Sequence, residues 1–150
     1  MKIYLVQHGE NLGKEIDPQQ SLSKKGTTDI ERLGHFLTEK KIEIGRILHS
    51  SKHRAEQTAA ILASNLSSSK KIEFHQGLEP LDPVSPIVDE INQQQHDIML
   101  VGHMPFMGKL IGKLALLNED SSIVAFIPGT MACLERTDEG KWLINWIRRP

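Results

Sequence analysis

An α/β fold, a sheet covered by helices on both faces, is the architecture this sequence predicts, and three observations predict it. Strand-like and helix-like apolar patterns alternate from the first residues to about Leu117. No internal repeat and no low-complexity linker interrupts them. The chain of 150 residues reads as one domain spanning 1–150, long enough to cover both faces of a sheet and too short for a large additional lid.

The elements follow in order. Residues 3–6 are a continuous apolar run, the first strand. Ser23 is placed to cap a helix in which Ile30, Leu33, Phe36 and Leu37 recur at helical spacing. Residues 46–49 form a second short strand, and Ala55, Ala59, Ile61, Leu62 and Leu66 mark a helix over about 52–66, capped by Ser50 or Ser51 and ended by 67–69. Residues 72–74 read as an edge strand. After the loop 76–83, Ser85-Pro86 opens a helix, since proline suits the first helical position. The run 97–101 is the next buried strand, and a helix from near Pro105 carries Phe106, Leu110, Ile111, Leu114 and Leu117. Beyond Ser122 the pattern turns to β: 123–127, a Pro128-Gly129 turn, 131–135, a turn over 137–140, and 142–147, together a terminal antiparallel meander.

Bulk properties exclude several classes. A charged fraction of 25% with net charge −1 provides no global basic field for nucleic acid or an anionic membrane, so phosphate recognition must be local. Cys133 is the single cysteine and can form no internal disulfide. With no charged-then-apolar leader and no apolar run near membrane-spanning length, a cytoplasmic location is the default expectation.

The residues that suggest chemistry sit after strands. His8-Gly9-Glu10 follows the first, and a buried strand ending in His-Gly delivers an imidazole to the open carboxyl end of a sheet, with a glycine allowing close approach to a ligand. Arg54 lies in Arg54-Ala55-Glu56-Gln57-Thr58, and Val101-Gly102-His103 precedes Pro105. Taken singly, each has a plainer reading: a turn for His8-Gly9, a helix cap for His103, and a solvated pair with Glu56 or Glu90 for Arg54. His49 and His53 beside His8 raise a metal site, but they span a strand end and a turn without supporting carboxylate or thiolate spacing, so no metal is expected. His35, His75 and His96 read as surface residues, and Trp142 and Trp146 as packing on one strand face.

In order and spacing these motifs, with Leu22-Ser23-Lys24-Lys25-Gly26 and residues 78–84, make the chain resemble the histidine phosphatase superfamily, and within it the short SixA-like phosphohistidine phosphatases. The resemblance implies a three-layer α/β/α sandwich with a mostly parallel central sheet, phosphoglycerate mutase-like and without a large lid. It assigns His8 as the nucleophile that carries the phosphoryl group, Arg54 as the fork that holds its oxygens, and His103 as the second catalytic histidine. Gln7, Gly9, Gln20, Arg54 and Met104 are the implied substrate-binding positions, with helix-start amides near Lys52 and Met104 as added donors. Glu79, or Asp82 in the same loop, is a possible acid, and no cofactor is implied.

Two departures stand out. Gln7 occupies the position of the family's first arginine, and Gln20-Ser21 that of an arginine-proline pair, so two phosphate-binding cations are replaced by neutral donors. Lys24 or Lys25 would substitute if the loop folds back. The short connections leave the site open, which suits a phosphorylated protein, such as a histidine phosphotransfer or carrier protein, and phosphate-like anions. Imidazole leaves phosphorus more readily than an alkoxide, so phosphohistidine needs less acid assistance. The alternatives are a hydrolase of small phosphate esters, and a catalytically weak relative that binds a phosphorylated partner.

Overall fold

The computed structural model describes residues 1–66 and 71–150. Its strands are β1 (Lys2–Gln7), β2 (Arg46–His49), β3 (Lys71–Phe74), β4 (Ile98–Gly102), β5 (Met131–Arg136) and β6 (Trp142–Arg148). The helices are α1 (Lys24–Glu39), α2 (His53–Asn65), α3 (Ser85–Gln93) and α4 (Phe106–Leu116). The strands form one sheet in the order β3-β2-β4-β1-β5-β6. β3, β2, β4 and β1 are parallel, while β5 and β6 are antiparallel additions on the β1 side.

Alternation along the buried strands divides the core in two. Ile3, Leu5, Leu48 and Leu100 face one way and pack with Ile87 and Ile91 of α3 and Phe106, Leu110 and Leu114 of α4. Tyr4, Val6, Ile47, Met99 and Val101 face the other way, against Ile30, Leu33 and Leu37 of α1 and Ala55, Ala59 and Leu62 of α2. The result is a three-layer α/β/α sandwich. Burying each of the larger aliphatic side chains contributes about 1.5–3 kcal/mol, which makes this two-sided core the main support of the site above it.

Ser23 caps α1 as expected, its Oγ accepting from Gly26 N–H at 3.0 Å, and Pro86 stands in the first turn of α3. Several boundaries and assignments differ. Lys52, not Ser50 or Ser51, caps α2, because the Ser50 hydroxyl is hydrogen-bonded to His103 and the Ser51 N–H to Glu79. Leu117 is not on the apolar stripe of α4: it is the left-handed C-cap, with its side chain in solvent. Residues 67–69, expected to end α2, lie outside the described residues.

Residues 123–127 are not a strand. Their alternation is real, with Val124 and Phe126 buried against the α3–α4 side of the core, but β1 and β6 already occupy both edges of β5. The meander is therefore two strands. Trp142 and Trp146 do not share a face either. The β5–β6 register skips Asn145 between Ile144 and Trp146, and this bulge inverts the alternation. Trp142 packs with the α3–α4 core and Trp146 against Tyr4 and Phe36 on the other side. Among the described residues no helix is long and apolar enough to cross a membrane.

Candidate active site

The parallel register sets the site. Gln7 pairs with Gly102 and His49 with Val101, so β1, β4 and β2 end level and release His8, His103 and Ser50 at one end of the sheet. His8 N–H donates to Gly102 O at 3.0 Å, and Ser50 N–H to Val101 O at 3.3 Å, which carries the ladder one step into the loops. Arg54 comes from the first turn of α2, the helix that follows β2.

His8 is 7% exposed. Its Nδ1 lies 2.7 Å from Gly9 O, and because a carbonyl only accepts, Nδ1 carries the proton and Nε2 the lone pair. The Arg54 Nε–H donates to that Nε2 at 3.3 Å. Burial lowers the His8 pKa to about 4, the Arg54 charge adding to the effect and the bond to Gly9 opposing it, so the ring is neutral near pH 7. A neutral imidazole lone pair held beside a guanidinium is a nucleophile next to an anion receptor.

His103, 2% exposed, has its ring centroid 4.9 Å from that of His8. Its Nε2 is 2.5 Å from Ser50 Oγ, which also accepts from Lys52 N–H at 3.3 Å. Burial, then the nearby His8, Arg54 and Lys52, lowers the His103 pKa to about 3. Its Nδ1 is buried with no hydrogen-bond partner among the described residues, and so is Gln7 Oε1. Unpaired buried polar atoms cost about 1–3 kcal/mol each and are concentrated where a ligand completes the pairing.

The other expected residues fall into place unevenly. Gln7 is buried at the end of β1, with backbone bonds to Thr130 O and from Gly129 N–H. Gly9 is required by packing: a Cβ there would come within 2.9 Å of Ile30 and 3.1 Å of Gly26 O, in α1. Its N–H donates to Thr58 Oγ1 at 3.0 Å and its carbonyl fixes His8. Gln20 stands in a turn, left-handed at φ 51°, with its N–H on Asp17 O, and the loop reaches the site region through Leu22 N–H to Gln57 Oε1 at 2.8 Å. Met104 packs its side chain over Gly108 of α4 and precedes the cis bond to Pro105.

Lys25 does not substitute for a missing arginine; it is held by Asp29 at 2.6 Å and faces Glu10 at 3.8 Å. Glu79 accepts from Ser51 N–H at 2.8 Å and lies 3.8 Å from Lys52 Nζ, while Asp82 accepts from the Glu79 N–H. His53 turns out toward Glu56 at 3.7 Å and His49 donates to Ser50 O, so neither joins His8. Among the described residues no group of three or more His, Cys, Asp or Glu side chains is arranged to hold a metal. His75 is not a free surface residue: its Nε2 is 2.8 Å from Glu90 Oε2, which removes Glu90 as a partner for Arg54. Sequence reasoning missed Ser50 and Thr58. Both lie in the block that supplies Arg54, but only the folded contacts give them their partners, His103 just after β4 and Gly9 just after β1.

Residues 3–83 match the histidine phosphatase superfamily (branch 1). The chain is 23% identical over 155 residues to the phosphohistidine phosphatase SixA of Escherichia coli K12, the match covering 100% of this chain and 94% of that protein. In structure it is similar to the protein histidine phosphatase SixA complexed with tungstate, with a TM-score of 0.86 and 22% identity over 98% of this chain and 96% of that one. A putative SixA from Agrobacterium tumefaciens superposes at 0.81 with 19% identity over 99% and 97% of the two chains. A putative α-ribazole-5'-P phosphatase from Escherichia coli superposes at 0.79 with 15% identity over 99% and 96%.

Proposed function

We propose that this chain, which belongs to the histidine phosphatase superfamily, removes the phosphoryl group from phosphohistidine on a protein through a covalent intermediate on His8. One observation carries the reading: the His8 lone pair, fixed on Nε2 by the Gly9 carbonyl, faces the Arg54 guanidinium with the buried His103 ring alongside.

The substrate P–N bond breaks as a P–Nε2 bond forms on His8, and the substrate ring leaves as neutral imidazole because its other nitrogen has taken a proton from solvent. The ring then becomes cationic, and its Nδ1–H bond to Gly9 O strengthens as a charge-assisted bond. Attack on phosphorus takes the Nε2 lone pair from the Arg54 Nε–H, which frees that donor with the rest of the guanidinium for the equatorial oxygens, and His103 supplies a further ring nitrogen. Water then attacks phosphorus, releasing inorganic phosphate and restoring the neutral Nδ1–H imidazole. Glu79 holds Ser51 N–H on Oε1 and leaves its buried Oε2 without a hydrogen-bond partner among the described residues, so it stays the candidate acid of this loop. The resemblance to SixA supports the same substrate class.

Rapid quench with a 32P-phosphohistidine protein tests this. The expected result is label on His8, acid-labile and alkali-stable, lost in His8→Ala. Turnover undiminished in His8→Ala overturns the reading, and an aryl phosphate assayed beside it reports whether esters are also substrates.

A further inference from the structure

We propose that Ser50 is a positioning residue for phosphoryl transfer: its hydroxyl donates to His103 Nε2 and holds the single ring proton of His103 on Nδ1, as a donor to a phosphoryl oxygen. The inference rests on the reading above. Ser50 is fully buried, and its Oγ has two partners among the described residues, the Lys52 N–H at 3.3 Å and His103 Nε2 at 2.5 Å. An amide N–H can only donate, so Oγ accepts from Lys52. The one hydrogen that the hydroxyl carries then has a single acceptor among these partners, the Nε2 lone pair. Which ring nitrogen of a histidine is protonated is set by the bond the other one makes, so a donor on Nε2 leaves the proton on Nδ1.

The opposite tautomer is the worse fit. With the proton on Nε2, the Ser50 hydrogen would have no acceptor among the described residues, and the buried Nδ1 would turn a lone pair toward phosphoryl oxygens that carry lone pairs of their own. With the proton on Nδ1, the Ser50 hydrogen is paired and Nδ1–H alone awaits an acceptor, on a ring whose centroid is 4.9 Å from that of His8. The hydroxyl is aimed before substrate arrives. Ser50 N–H donates to Val101 O at 3.3 Å, which holds the end of β2 on β4, and the Lys52 N–H ties Oγ to the start of α2. The pair is not a second nucleophile and base. Burial, then the charges of His8, Arg54 and Lys52, lowers the His103 pKa to about 3, so the ring is a poor base for a hydroxyl and is neutral near pH 7, with one proton to place.

The ring proton is read by 1H–15N spectra of the resting enzyme near pH 7, the His103 signals being assigned by their loss in His103→Ala. Wild type is expected to show His103 protonated on Nδ1 and bare on Nε2, and Ser50→Ala a mixture of the two forms. Hydrolysis of a phosphohistidine protein is measured for wild type, Ser50→Ala, Ser50→Thr, His103→Ala and Ser50→Ala/His103→Ala. Ser50→Ala lowers kcat by about tenfold or more with KM within about twofold, because the donor matters most as charge develops on the transferring group. Ser50→Thr, which keeps the hydroxyl, restores most of what the alanine loses. With His103 already replaced by alanine, Ser50→Ala costs less than about twofold, since its effect passes through that ring.

A wild-type proton on Nε2 overturns the assignment and leaves the phosphatase reading standing. So does a folded Ser50→Ala enzyme that keeps either the wild-type tautomer or the wild-type kcat. An equal loss from Ser50→Ala with and without His103 overturns it as well, since Ser50 then acts through the fold and not through the ring. The wild-type spectrum decides even where a variant fails to fold. Wild type that does not hydrolyse the phosphohistidine protein removes the phosphatase reading instead, and the role of Ser50 in transfer with it.

Discussion

The parallel part of the sheet and its antiparallel extension are built from similar strands, yet they do different work. Each of β1, β2 and β4 ends in a residue of the candidate site or leads directly to one: His8, Ser50 with Arg54, and His103. β5 and β6 bring backbone and packing. Thr130 O accepts from Gln7 N–H, Gly129 N–H reaches the Gln7 and His8 carbonyls, and Ala132, Leu134 and Trp142 fill the core. In a parallel sheet every strand leaves at the same end, so side chains distant in sequence meet there. An antiparallel pair alternates its ends, and the extension therefore braces β1 from the side.

Substitutions in the two parts should separate chemistry from stability. The largest effect is expected from His8→Ala: kcat falls about 10⁴-fold, while the urea midpoint changes by no more than a surface substitution would cause. A comparable loss of stability would mean that the site is part of the scaffold. Trp142→Ala is the converse. Its ring is buried among the α3–α4 core and its Nε1–H donates to Asn92 Oδ1 at 3.0 Å, so about 3–5 kcal/mol of stability is lost, with kcat nearly unchanged wherever the variant is folded. A strong fall in kcat at full folding would break the division.

Gln7→Arg probes the seam between the parts, since Gln7 lies between β4 and β5 at the end of β1. A neutral donor becomes a charged one, and inhibition by vanadate should tighten by up to about tenfold, less at high salt. Unchanged or weaker inhibition would show that Thr130 and Gly129 leave no space for a guanidinium. The smallest effect concerns proton binding. Ring resonances of His8 should titrate near 4, and Arg54→Gln should raise the midpoint only slightly, because burial is the larger cause and Arg54 the lesser. A midpoint near the usual 6.5 would mean a wetter site than the geometry describes. The sign for stability follows. Both histidines bind protons less readily when folded, so stability is full above about pH 6.5 and declines as pH falls toward the lowered values.

The fold class was legible because local patterning carries it: apolar runs and helical spacing follow from burying one side of each element, whichever partner covers it. His8, Arg54 and His103, the residues proposed for the chemistry, were legible as motifs placed next to strand ends, and the fold brings them together. Where partners decide, the sequence was silent or misleading. Val124 and Phe126 alternate like a strand without a free edge to pair with, and Trp142 and Trp146 alternate across a bulge that needs β5 to exist. Ser50 looked like a cap until His103 arrived from β4. That Gly9 must also lack a side chain to let α1 lie against it was not legible in the sequence.

By itself, then, the sequence determined most of the elements, the two-sided core and which side chains stand at the strand ends, all of which depend on residues a few positions apart. Tertiary structure alone decided the His8 tautomer's setting beside Arg54, the depressed histidine pKa values and the buried Nδ1 of His103, left without a hydrogen-bond partner among the described residues. Each of these is a matter of distance and desolvation between groups far apart in the chain, and such energies exist only once the sheet has set its register.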